Sequence, residues 1–128
     1  MYFKNIRDSR GSLLPIEYKD LPFIPKRTFI VDKVPLGFRR GCHAHYKNEQ
    51  FLICLQGKIR VGLHNGKNLK ETILFPRNGI LVKNLVWDYQ DFLIENSTLL
   101  VFCSFPYYKK DYITDFNKFK KITATVDI

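Results

Sequence analysis

From Arg27 to Ser104 the chain is cut into short β-type runs by turn-forming residues, at intervals of about 8–12 positions, and no long helical period runs through it. That cadence restricts the fold to an all-β barrel or sandwich. Met1 to Ile6 alternates weakly and reads as a short edge strand, with a turn at Asp8 to Ser12. Pro15, Pro22 and Pro25 exclude a helix in the segment that follows. Strands are then expected at Arg27 to Val34, Arg40 to His45, Gln50 to Leu55, Lys58 to Leu63, Glu71 to Phe75, Gly79 to Val82 and Thr98 to Ser104. Gln50 to Leu55 is almost wholly apolar, as suits a strand covered on both faces. Asn65-Gly66 is a strong hairpin signal and leaves His64 at a solvated strand end. Only Lys110 to Lys121 offers a short helix, with Tyr112, Ile113, Phe116 and Phe119 spaced to dock on the body.

A chain of 128 residues, 45% hydrophobic and 26% charged, builds one core, so residues 1–128 are expected to form a single domain with one pocket. No run approaches the roughly 20 apolar residues of a membrane span, and MYFKNIRDSRG lacks the apolar stretch of a signal peptide, so no membrane is expected and the cytoplasm is the expected location. Cys42, Cys54 and Cys103 are odd in number, set among apolar residues, and read as reduced core thiols. The net charge of +9 calls for an anionic partner: nucleic acid, a membrane surface or a phosphorylated small molecule. The cations are dispersed, without the dense basic run that would favour nucleic acid.

Arg40-Gly41-Cys42-His43-Ala44-His45 concentrates two of the three histidines. On a strand, His43 and His45 project to the same face, about 6.6 Å apart along the backbone. Such a pair serves proton transfer or metal chemistry. The alternative is a polar pair on a wet face; Gly41, Cys42 and Ala44, small or apolar, read instead as packed.

Gly37, five residues, His43, one residue, His45, then Glu49-Gln50 and Gly57 resemble the first signature of the cupin superfamily. The resemblance implies a cupin-type jelly-roll barrel. In that register Gln50 stands where the metal-binding glutamate belongs, and Asp88 is the nearest candidate for the later histidine. Glutamine is a poor ligand beside a carboxylate, so no metal is expected.

A narrower resemblance runs through most of the chain. Asp8-Ser-Arg10-Gly11, Ile16-Glu17, Pro22-Phe23, Lys26-Arg27, Arg40-Gly41-x-His43-Ala44-His45, Glu49-Gln50, Val86-Trp87, Ser104 with Tyr107, and Asp111-Tyr112-Ile113 are similar in order and spacing to the sugar 3,4-ketoisomerases of deoxysugar biosynthesis. The resemblance implies an isomerase that moves the ketone of a thymidine-diphosphate-linked (dTDP) 4-keto-6-deoxyglucose from C4 to C3, toward surface glycans such as lipopolysaccharide or S-layer glycan. It implies a homodimer with exchanged N-terminal strands and no metal or organic cofactor. By the same resemblance His45 is the main acid and base and His43 its partner.

Arg27, Arg40, Lys47 and Arg60 are candidates for the diphosphate, since arginine forks suit phosphate oxygens. Arg40 is equally an ion-pair partner for Glu17 or Glu49. Trp87 and Tyr107 are candidates to stack on base or sugar, or simply core. Two departures stand out: Phe29-Ile30 where relatives commonly carry tyrosine, and Asp88 where the galacto-forming group usually has histidine. Arg10 matches that group, so the galacto product is favoured, with Arg10 and Asp88 kept among the substrate-binding candidates. A metal-dependent cupin enzyme and a non-catalytic nucleotide-sugar module remain the alternatives.

Overall fold

A computed structural model describes residues 1–122 and 125–128. Among them are eleven strands and one short helix: β1 Ile6–Asp8, β2 Gly11–Leu13, β3 Arg27–Val31, β4 Arg39–His45, β5 Gln50–Gln56, β6 Ile59–His64, β7 Leu69–Leu74, β8 Gly79–Val82, β9 Trp87–Phe92, β10 Thr98–Cys103, β11 Tyr112–Ile113 and α1 Phe116–Lys120. Two antiparallel sheets of order β3-β10-β5-β8 and β11-β4-β9-β6-β7 face each other, and the chain passes back and forth between them. This is the jelly roll that the cupin resemblance implied.

The apolar run of β5 explains the layering. Leu52 and Cys54 point between the sheets, where they meet Val61, Leu74, Leu99 and Val101. Phe51 and Ile53 point outward and are covered by Phe3, Leu14, Ile16, Leu21 and Phe23 of the N-terminal segment. Both faces are therefore dry, as the sequence of this strand demanded. Each fully buried aliphatic side chain here contributes about 1.5–3 kcal/mol. The prolines keep the covering segment extended, apart from one 3-10 turn at Tyr18–Asp20.

Several sequence expectations are corrected. The first strand is not Met1 to Ile6: Tyr2 makes an isolated bridge to Asn78, and Ile6–Asp8 pairs with Gly11–Leu13 in a small hairpin. β3 stops at Val31, because Lys33 takes a positive φ of 55° ahead of Pro35. The tail is mostly not helix. Tyr112 and Ile113 pair with His45 and Ala44 as an added strand, and only Phe116–Lys120 coils, its start capped by Asp115 Oδ1 accepting from the Asn117 and Lys118 amides. Phe116 and Phe119 dock as expected, against Trp87.

β9 was absent from the sequence reading. Its Trp-Asp-Tyr-Gln-Asp-Phe run turns Asp88 and Gln90 inward, so the usual apolar-in pattern is inverted at the place where it would have revealed a strand. Cys42 is exposed, not a core thiol, while Cys54 and Cys103 are buried. Among the described residues no helix is long and apolar enough to cross a membrane.

Candidate functional site

β4 and β9 together build the polar end of the barrel interior. A bulge between Gly41 and His43, with both Gly41 and Cys42 at positive φ, brings His43 opposite Asp88. Gly41 also needs its missing side chain: a Cβ there would sit 3.1 Å from the Asp88 carbonyl, the Gln90 amide and the Tyr89 backbone. Beyond the bulge, simple alternation carries His43 and His45 to the same side, as expected. Their rings meet edge to face with centroids 5.0 Å apart.

His45 is 3% exposed and its Nε2 has no hydrogen-bond partner. Burial pulls its pKa down to about 4, with the neighbouring His43 acting in the same direction and Asp111 opposing. His43 is likewise below its ordinary value through burial, partly offset by a hydrogen bond to the Gly41 backbone. Both imidazoles are thus neutral at pH 7 and able to accept a proton. Asp88 is wholly buried; Gln90 donates to its Oδ2, its Oδ1 lacks a partner, and His43 Nε2 lies 4.0 Å from Oδ1. Burial pushes the Asp88 carboxyl up to about 7, and the Gln90 hydrogen bond acts against that rise.

Tyr112, read from the sequence as a docking residue, instead lies on the histidines, 4.4 Å from the His45 ring and 5.2 Å from His43. Asp111 precedes it and pins the turn after β4 by accepting from the Lys47 and Asn48 amides at 2.9 and 3.0 Å. Neither residue was taken for a site residue from the sequence, although both stand in the Asp111-Tyr112-Ile113 element noted in the tail. Gln90 was missed together with its strand.

The substrate-binding candidates separate clearly. Arg27 shares the inward face of β3 with Phe29 and Val31, acts electrostatically on His45, and stacks over Tyr107 at 5.2 Å. Tyr107 in turn lies 5.8 Å from Tyr112. Tyr107 and Lys47 line a cavity of about 570 Å³ with Tyr46, Phe105, Tyr108, Lys110 and Asp111, whose chain neighbour Tyr112 lies on the histidines. Arg40 is opposite Gln90 and so on the histidine face; among the described residues it forms no ion pair with Glu17 or Glu49.

Arg60 is on the outer face, opposite Asp91 and bonded to it at 3.3 Å, and the structure does not bring it to the histidines. Trp87 also faces outward, into the apolar cluster under α1. Arg10 sits exposed on the β1–β2 hairpin, paired with Asp8 at 2.6 Å, apart from the histidines within the chain.

The residues do not fit the metal centre of the cupin pattern. Gln50 turns its amide nitrogen toward the Cys103 thiol at 3.7 Å, and among the described residues no group of three His, Cys, Asp or Glu side chains is disposed to hold an ion. What the arrangement offers is two neutral bases, a buried carboxyl and a neighbouring aromatic cavity. A jelly-roll interior so furnished places the chain in the cupin class, with a polar interior site.

Residues 1–124 match the family described as FdtA, WxcM-like, C-terminal. The chain is 38% identical over 128 residues to a TDP-4-oxo-6-deoxy-alpha-D-glucose-3,4-oxoisomerase from Aneurinibacillus thermoaerophilus, covering 98% of this chain and 92% of the relative. A double mutant of the QdtA 3,4-ketoisomerase from Thermoanaerobacterium thermosaccharolyticum, in complex with TDP, superposes with a TM-score of 0.85 at 38% identity over 92% of this chain and 87% of that one. A histidine-to-asparagine mutant of the same enzyme, in complex with TDP-4-keto-6-deoxyglucose, gives 0.86 at 34% identity over 96% and 94%. The chain belongs to this FdtA-like family of sugar 3,4-ketoisomerases.

Proposed function

We propose that the protein, with residues 1–128 acting as one catalytic domain, converts dTDP-4-keto-6-deoxy-D-glucose to the dTDP-3-keto-6-deoxyhexose by histidine-mediated proton transfer. The observation that carries this is His45: buried, neutral, and with a nitrogen that has no hydrogen-bond partner among the described residues. The relatives' substrate supplies the rest of the reading, since the 4-ketone acidifies the C3 proton and makes it accessible to a base of this kind.

His45 takes the C3 proton, exchanges it with solvent, and delivers a proton to C4. His43 serves the oxygens, where negative charge develops. C3 is oxidised by two electrons and C4 reduced by two, so the reaction balances within the sugar and no external oxidant enters. Lys47, Tyr107 and Arg27 are assigned to the nucleoside diphosphate, whose size suits the adjoining cavity of about 570 Å³; Arg40 is assigned to the rim. The galacto epimer remains the expected product, on the match at Arg10. A reducing compartment, the cytoplasm, suits the free thiols of Cys54 and Cys103.

The homodimer is assigned to the N-terminal region. Ile6, Leu13, Ile24 and Ile30 are all exposed there, an apolar set that a second copy would cover. Sedimentation of the purified chain should give twice the monomer mass, and a monomer at micromolar concentration would overturn that assignment.

The activity is tested by incubating the purified chain with dTDP-4-keto-6-deoxyglucose in heavy water and following the sugar by NMR. Deuterium should enter at C4 of a 3-keto product, whose couplings report the epimer. Recovery of the starting sugar without exchange or isomerisation would sink the proposal.

A further inference from the structure

β9 turns a carboxyl group into the barrel where apolar packing would be expected. Asp88 stands opposite His43 on β4 and Leu63 on β6, is 0% exposed, and among the described residues has no lysine or arginine partner. Gln90 donates to one oxygen; the other is buried and unpartnered, 4.0 Å from His43 Nε2. A purely structural carboxyl in a dry sheet would have both oxygens satisfied, because an orphaned buried acceptor carries its full desolvation cost. An oxygen left free just beyond hydrogen-bond reach of an imidazole needs only a small side-chain movement to trade a proton with it.

We propose that Asp88 and His43 hold one proton between them and that, through His43, this pair carries the second proton of the isomerisation, from the C3 hydroxyl to the C4 oxygen. The inference rests on the isomerase reading above. As His45 removes the C3 proton, the C3–H bond pair forms the enediol double bond, and the carbonyl pair moves to O4, which takes the proton held by Asp88 and His43. The pair is then anionic and faces the new imidazolium of His45, whose ring centre is 5.0 Å from that of His43. In the second half the O3 hydroxyl returns a proton to the pair, the C3 carbonyl forms, and His45 delivers its proton to C4. Charge, protons and electrons balance at each stage.

Asp88 acts through His43 and is a positioning residue; His43 is the group that meets the sugar oxygens. Burial supports the assignment, for it pushes the carboxyl up to about 7, so that Asp88 can hold or release a proton near neutrality. The other ionisable groups facing the pair are His45 on β4 and Tyr112 on β11, while Arg27 and Asp111 act on His45. From β6 comes only Leu63.

The test compares the full-length protein with its Asp88→Asn and Asp88→Glu variants on dTDP-4-keto-6-deoxyglucose in heavy water. Asp88→Asn should lower kcat by about 10–100-fold, leave KM and TDP binding unchanged, flatten the limb of the pH profile near neutrality, and return more deuterium to C3 for each product molecule formed. Asp88→Glu should recover part of kcat and the pH limb. Wild-type protein that neither exchanges nor isomerises would fail the isomerase reading itself. An active wild type, with Asp88→Asn within about two-fold of it and an unaltered pH profile, would overturn the relay alone. Should Asp88→Asn not fold, carboxyl-labelled aspartate in the wild type decides by NMR: one carboxyl titrating near neutrality together with the His43 ring supports the pair, and all carboxyls titrating in the acid range overturns it.

Discussion

The two ends of the barrel interior are lined in opposite ways, with β5 contributing to both through Gln50 at one end and Leu52 and Cys54 at the other. Toward Leu52, Cys54, Ile59, Val61, Leu74 and Leu99 the inward positions are aliphatic or thiol and close-packed, and that half supplies stability. Toward Gln50, His45, Asp88 and Gln90 they are polar and buried, with His43 half-buried beside them and with His45 Nε2 and Asp88 Oδ1 unsatisfied among the described residues. Alternation along a strand makes both possible, since each inward position is filled independently of its neighbours two residues away. The site proposed for catalysis thus lies where the fold gives up stability.

The comparison is broken most severely at His45. His45→Asn should reduce kcat by about 10²–10⁴-fold while TDP affinity, read by calorimetry, stays within a few-fold. A variant that lost binding and kept turnover would reverse the assignment of the two ends. Leu52→Ala, at the apolar end, should cost about 2–5 kcal/mol in a urea titration and leave kcat per folded molecule unaltered. A large loss of turnover in the folded protein would show the two ends to be coupled.

Acid sharpens the contrast. His45 has a folded pKa of about 4 against 6.5 unfolded, so the unfolded chain binds the extra proton first. The resulting stability is present above pH 6.5 and declines as pH falls toward about 4, by about 3 kcal/mol. Asp88 has the opposite sign: raised from 3.8 to about 7, it favours the folded state below 3.8 and loses that contribution as pH climbs through 7. Denaturation followed against pH should therefore flatten on the acid side in His45→Asn and on the neutral side in Asp88→Asn. Unchanged profiles would mean that neither group is buried as described.

The smallest effect belongs to the outside of the same sheet. Arg39 binds Asp91 through two nitrogens, at 2.7 and 2.9 Å, but is half exposed. Arg39→Ala should cost less than about 1 kcal/mol and leave kcat unaltered. A catalytic defect there would make the outer face part of the site.

Most strands were legible because their apolar positions alternate or run together over a few residues, a local property. β5 could be read as doubly buried from Phe51 to Cys54 alone. The histidine pair was legible for the same reason, since two residues apart on a strand means one face. β9 was not, because two of its three inward positions are Asp88 and Gln90, with only Phe92 apolar, and a largely polar inward face carries no outward sign of burial. The tail misled differently: Tyr112 and Phe116 are spaced for a helix, but pairing Tyr112 with His45 completes the edge of β4. Burying that edge outweighs a local helical preference over so few residues.

What the sequence determined by itself was the β class, the punctuation of the strands, and two imidazoles on one side of one strand. Those follow from turn chemistry and from a period of two, which act between near neighbours. Only the tertiary structure decided which residues meet those imidazoles: Asp88 through a bulge at Gly41, Tyr112 from the far end of the chain, Arg27 from the opposite sheet, and Arg60 turned outward to Asp91. Register between strands far apart in the chain is settled by the summed burial of whole faces, and no local stretch contains that sum.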